Sequence, residues 1–156
     1  MTTSSPSISV LLARLADTQV GFSATAVREI VRSVAVAPLL GAPGVVEGAI
    51  NLRGRIVPVV DVRQRLALPA HPNAPGQFLI ILETSDRLIA VRVNDVDDVS
   101  DISRSSLEAP VALSPVLQRI AGVAATAEGA LVIYDVDAFL TQAERDALDD
   151  LEPVSA

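Results

Sequence analysis

The apolar residues of this chain come in short bursts of about six, rich in Val, Ile and Leu, and each burst is stopped by residues that favour turns. Phe78 to Glu83, Leu88 to Val93, Val96 to Ile102 and Ala130 to Val136 follow one another across Ser85-Asp86, Asn94-Asp95 and Glu128-Gly129. Spacings of roughly eight to twelve residues between such runs leave little room for long helices and point to an all-β barrel or sandwich. Near the start, Ile8 to Leu15 and Val20 to Phe22 flank the polar break at 16–19 and read as a hairpin. Half of the 156 residues are hydrophobic, yet there are only three Phe, one Tyr and no Trp, so Val, Ile, Leu and Ala must build the core. That composition also favours strands.

A few segments carry helical signals. Ser23 or Thr25 can cap a short turn in which Val27, Ile30 and Val31 share one side, leaving Arg28, Glu29 and Arg32 more exposed. Ser114-Pro115 can open one turn through Ile120. Thr141-Gln142-Ala143-Glu144 has the pattern of a capping box, in which a threonine hydroxyl and a glutamate carboxylate satisfy each other's backbone amides. It predicts a helix to about Leu151 with Ala143, Ala147, Leu148 and Leu151 on its apolar face.

The most informative stretch is VVEGAINLRGRIVPVVDVRQRLAL, from Val45 to Leu68. Strand-like runs at Ala49–Leu52 and Arg55–Val62 flank Arg53-Gly54, where glycine supplies the positive φ of a tight turn. Pro58 has no amide hydrogen for a ladder, so its strand should lie at an edge or carry a bulge. Arg53 can project a planar guanidinium from this corner toward a partner carboxylate, or form an internal ion pair with Glu47 or Asp61. Residues 69–76 hold three prolines and a glycine and read as an exposed loop dividing two halves.

Chemistry finds few footholds. A net charge of −7 opposes nucleic-acid binding, which needs basic groups to displace phosphate counterions. Without cysteine there is no disulfide, thiolate nucleophile or thiolate metal site, and with no lysine there is no Schiff base. His71, the single histidine, sits in the proline-rich loop with no second ligand near it in sequence. Asp95, Asp97, Asp98 and Asp101 lack the glycine and terminal glutamate of a calcium loop and read as a solvated acidic turn. Ser105, Ser106 and Ser114 lack the setting of an activated nucleophile, and no glycine-rich phosphate loop occurs. No apolar run approaches the roughly twenty residues of a membrane helix. The expectation is a cytoplasmic protein without enzymatic activity or cofactor, working through its surfaces.

At Val45–Leu66 the chain resembles the CheW family of chemotaxis coupling proteins. The family's signature has a glycine, an N-L-R-G turn and a strand with an internal proline ending in an aspartate and an arginine. Gly48, Asn51, Leu52, Arg53, Gly54, Pro58, Asp61 and Arg63 match it. Val27 and Glu29 of VREI match an upstream V-x-E segment, and LIAVRVNDVDDV, IAGVA and LVIYDVDAFL resemble later family strands, so the likeness spans about 8–140. Asn94, Arg92 and Ala13 depart from the usual aspartate, apolar residue and phenylalanine.

The resemblance implies two SH3-like, five-stranded β-barrel subdomains within 8–140, divided near 69–76, and a C-terminal helix and tail over 141–156. It also implies two partners, the regulatory domain of a CheA-type histidine kinase and the cytoplasmic tip of a methyl-accepting chemoreceptor. A groove between the barrels would take the receptor tip, with Val27, Ile30, Val96 and Val99 as apolar wall and Glu29 and Arg53 orienting it. Gly48, Asn51 and Gly54 would serve the kinase contact, where close approach tolerates no side chain. An accessory scaffold that binds one partner, or competes with a main coupling protein in a non-flagellar pathway, is the second reading.

Overall fold

The computed structural model describes residues 7–15, 18–32, 36–61, 78–103, 107–108, 120–126 and 129–151. Eleven strands run along this part of the chain: β1 Ser7–Leu15, β2 Thr18–Ser23, β3 Val27–Arg32, β4 Val46–Leu52, β5 Arg55–Val60, β6 Phe78–Glu83, β7 Leu88–Val93, β8 Asp95–Ser103, β9 Leu107–Glu108, β10 Ile120–Thr126 and β11 Gly129–Tyr134. One helix, α1 (Gln142–Leu151), closes it. The strands form a five-stranded sheet, β3-β6-β7-β5-β4, and a six-stranded one, β8-β1-β2-β11-β10-β9, whose sixth strand is the two-residue β9. The expected all-β architecture of two small sheet units with a short C-terminal helix is what the chain adopts.

The division between the units is not the expected one. The strands before and after residues 69–76, β5 and β6, belong to the same sheet, while β1 and β2 join the strands from β8 onward. The five-stranded sheet is therefore continuous in sequence and nested inside the other. The residues 69–76 themselves lie outside those described.

Both faces of the central strands are covered, which explains their unbroken apolar sequences. In β6, Ile80 and Leu82 join Ile89, Val91 and Val93 of β7 and Leu11, Ala13, Leu15, Val20 and Phe22 of the other sheet in one shared core. Leu79 and Ile81, one residue out of step, pack with Ile50, Val57, Val59 and Ala90 on the opposite face. A third cluster, Val10, Ala124, Leu131 and Ile133, lies in the six-stranded sheet alone. Ala13 has no exposed surface and pairs with Val20 and Val96, so its small side chain is built into the shared core. Phe22, Tyr134 and Phe139 form an aromatic trio with ring centroids 5.9 to 6.2 Å apart. Burial pushes the Tyr134 hydroxyl pKa up to about 12.

The helical reading of 27–32 is wrong. Only Ala24–Ala26 forms a 3-10 turn, Ser23 makes no side-chain cap, and Val27–Arg32 pairs antiparallel with β6. Its burial alternates, with Val27, Glu29 and Val31 turned inward and Arg28, Ile30 and Arg32 exposed, the period of a strand. Pro58 is not on an edge strand, since β5 lies between β4 and β7. It stands opposite Ala49, whose amide and carbonyl bond Ala37 on the far side, so the two residues form a non-hydrogen-bonded pair. The missing amide hydrogen faces away from β4, and the β7 ladder starts one residue later, at Val59. The bulge falls opposite, between Val46 and Gly48.

In α1 the capping box forms as expected: Thr141 N–H donates to Glu144 Oε1 at 2.8 Å and Glu144 N–H to Thr141 Oγ1 at 3.2 Å. Leu148 is fully buried, but Ala143 is exposed, and Arg145 takes the inward place. The turn expected at Ser114-Pro115 lies outside the described residues.

Candidate functional site

The turn at Arg53-Gly54 links strands whose last pair is Leu52 with Arg55, making a two-residue hairpin loop. Arg53 has φ of 50° and Gly54 φ of 88°, so both occupy the left-handed region that a type I′ turn requires. Glycine does this freely, whereas arginine carries a cost of about 1 kcal/mol. Asn51 offsets part of it, its Oδ1 accepting the Gly54 N–H at 2.8 Å. The result is a stiff corner from which the Arg53 side chain projects 75% exposed.

That side chain meets Glu29, not Glu47 or Asp61. Arg53 Nη2 donates to Glu29 Oε2 at 2.9 Å, and this bond and the carboxylate's charge raise the guanidinium pKa further. Glu47 pairs with Arg92 at 3.2 Å, so the unusual arginine of β7 has a carboxylate across the sheet. Because β3 and β4 are opposite edges in the strand order, a direct contact between Glu29 and the β4–β5 tip means that the sheet is curled.

At this curled end lies an open groove of about 710 Å3. Leu52, Ile81 and Leu88 form its apolar lining, Glu29, Arg53 and Arg55 one wall, and Glu83 to Arg87 the other. Arg28 is ion-paired with Glu83 at its rim. The second wall is the β6–β7 turn, and α1 holds it. Arg145, with 9% of its side chain exposed, is ion-paired with Asp86 and donates to the Asp137 carbonyl. Arg87, equally buried, is ion-paired with Asp149 and donates to the Arg145 carbonyl at 3.3 Å. Thr84 Oγ1 completes the turn by donating to the Arg87 carbonyl at 2.9 Å.

The other expected site residues are scattered. Val27 and Val96 are half-buried and pack on the shared core, whereas Ile30 is 41% and Val99 56% exposed. Ile30 and Val99 stand on edge strands of different sheets. Gly48 is buried, and a Cβ there would lie 2.2 Å from the Ala37 carbonyl oxygen, so the chain's own segment at Val36–Ala37 excludes a side chain. Asn51 and Gly54 are joined within the turn. The four aspartates lie on strand β8, not in a turn: Asp101 accepts from Ser9 Oγ at 2.7 Å, and Asp97 is 3.9 Å from Arg14 Nε. Among the described residues no group of three His, Cys, Asp or Glu could hold a metal ion, and no helix is long and apolar enough to cross a membrane. His71, Arg63 and the three serines fall outside the described residues.

The sequence reading missed Arg55, Arg87 and Arg145. Arg145 is three residues before Leu148 on α1, a spacing that puts the two on one face.

Two sheets share one core, with a rigid arginine corner beside a groove at one end. The CheW-like domain family matches residues 9–144, and the chain belongs to it. The Chemotaxis protein CheW of Rhizobium meliloti is 27% identical over 136 residues, covering 86% of this chain and 88% of the relative. That of Klebsiella aerogenes is 26% identical over 143 residues, covering 90% and 86%. The crystal structure of scaffolding protein TtCheW from Thermoanaerobacter tengcongensis superposes with a TM-score of 0.80 at 24% identity, over 89% of this chain and 96% of that one, and shows the same fold.

Proposed function

We propose that this protein is a non-catalytic cytoplasmic adaptor in chemotaxis signalling that couples a methyl-accepting chemoreceptor to a CheA-type histidine kinase. The observation that carries this reading is family membership across 9–144 with the N-L-R-G turn intact and its arginine held outward. Coupling of this kind is a free energy between receptor state and kinase state, transmitted through differential contacts, and needs no reactive group.

In this reading the receptor's helical tip contacts Ile30, Val99, Arg53 and Glu29, with Val27 and Val96 supporting the exposed positions from the core side. The kinase regulatory domain meets the β4–β5 hairpin at Asn51 and Gly54, and buried Gly48 contributes by seating that hairpin. Pull-down of the purified protein against a kinase regulatory domain and a receptor fragment tests it. Capture of both, with the receptor arm weakened by Arg53→Ala, is the expected result. Binding to neither partner, or a receptor arm indifferent to Arg53, overturns the reading.

A further inference from the structure

Past β11 the chain is held in two ways. Phe139 and Leu140 are buried in the shared core, whereas in α1, up to Asp150, only Arg145 and Leu148 are buried. With ten residues, α1 is shorter than the roughly twelve to fifteen that a helix needs to be even marginally stable alone in water. Its last turn carries Asp149 and Asp150 and no basic residue, so two negative charges stand at the negative end of the helix dipole. α1 therefore depends on its docking, and beyond Leu148 charged groups make that docking. They cross reciprocally. Arg87 of the β6–β7 turn reaches Asp149 and the Arg145 carbonyl on α1, while Arg145 reaches back to Asp86 in the turn and to the Asp137 carbonyl. Asp137 Oδ1 in turn accepts the Ser85 N–H at 2.6 Å. The turn belongs to the five-stranded sheet and α1 follows β11 of the six-stranded one, so the clasp ties one sheet to the other along the second wall of the groove. Charged groups leaving such a clasp are rehydrated, which returns part of the energy lost when it opens.

We propose that α1 is a detachable latch: with both sheets folded it swings off as a unit about Thr141, opening the arginine clasp and freeing the β6–β7 wall of the groove from the six-stranded sheet. Phe139 and Leu140 stay seated and keep the open latch within reach of the turn. The position of that wall then responds to whatever engages α1, and by linkage a partner that holds the wall holds α1 closed. The latch is independent of the adaptor reading, and neither kinase nor receptor is needed to test it.

Native-state hydrogen exchange of the whole protein, followed across a series of low urea concentrations, is the test. The hydrogen-bonded amides of α1 and the Ser85 amide are expected to exchange through one shared opening, about a hundredfold more populated than the opening that exposes β6 and β7. Its urea dependence should be much shallower, since little surface is uncovered. The Thr84 and Arg87 amides, bonded within the turn, should not join it. Two neighbouring variants should act in opposite directions. Asp149→Asn takes a carboxylate from the clasp and should speed the shared exchange about tenfold, whereas Asp150→Asn, on the exposed side, relieves the dipole and should slow it about twofold. If the α1 amides exchange only together with those of β6 and β7, at the same urea dependence, there is no latch. Ser85 exchange that ignores α1, or a change of the same sign from both variants, overturns it as well.

Discussion

Two hairpin tips face each other across the groove, and they are stiffened by unlike means. The β4–β5 tip is rigid through its own backbone: two residues at positive φ, an asparagine side chain closing the loop, and an exposed arginine reaching across to Glu29. The β6–β7 tip has no residue at positive φ; Thr84 Oγ1 bonds within the turn, and Arg145 and Arg87 also tie it from outside to α1. In the first tip the loop is closed by Asn51 and braced by Arg53, and Arg55 stands outside those contacts. A tip held from outside has spent its charged groups on the clamp. Among the described residues Arg55 is exposed, whereas Arg87 is tied to Asp149 and the Arg145 carbonyl.

Each mechanism can be broken separately, beginning with the seat of the first hairpin. Gly48→Ala places a Cβ against the Ala37 carbonyl and should cost about 3 kcal/mol or more, read as a lower urea midpoint at unchanged slope. Arg145→Met keeps the volume but leaves the Asp137 carbonyl without its donor. About 2–3 kcal/mol is expected, with faster amide exchange confined to the β6–β7 turn and α1. Exchange spreading equally to the β4–β5 tip would show that the two hairpins are not independent.

Alkaline titration is the control that should loosen both hairpins together. The Tyr134 pKa is about 12 in the folded chain against 10.0 for an unperturbed tyrosine. Its contribution is therefore complete below pH 10 and declines as pH rises toward 12, a loss of about 2 kcal/mol that Tyr134→Phe should abolish. The smallest effect belongs to Gly54→Ala, about 1 kcal/mol for a methyl group at φ of 88°. Its exchange signature should stay within the β4–β5 tip, and a wider one would break the comparison.

Strand existence was readable in the sequence where both faces are buried. FLIILE and LIAVRV are unbroken because each side of β6 and β7 meets a core, and their predicted bounds match the strands. VREIV was misread because Val27, Ile30 and Val31 satisfy a helical period as well as a strand's, and only pairing with β6 decides between them. The Gly54 turn was legible, but the left-handed Arg53 was not, because a non-glycine residue enters that region only when its surroundings compel it. Arg53's partner was sought near it in the chain, at Glu47 or Asp61, whereas the curl of the sheet supplies Glu29. The same reasoning failed at Ala143, since nothing in α1 announces the carboxylates of Asp86 and Asp137 that draw Arg145 inward. The groove, made where separate strands converge, had no local signature at all.

The nesting of one sheet inside the other sets a timetable for synthesis. Every strand of the five-stranded sheet has left the ribosome's active centre once Val93 is added, so that unit has all its partners early. The β1–β2 hairpin, made first, must keep Leu11, Val20 and Phe22 waiting: its outer neighbours are β8 and β11, and Val20 has no parallel partner until Val132 exists. The hairpin made before the five-stranded sheet is thus completed after it, with the nascent five-stranded sheet as the apolar surface against which it can shelter in the meantime.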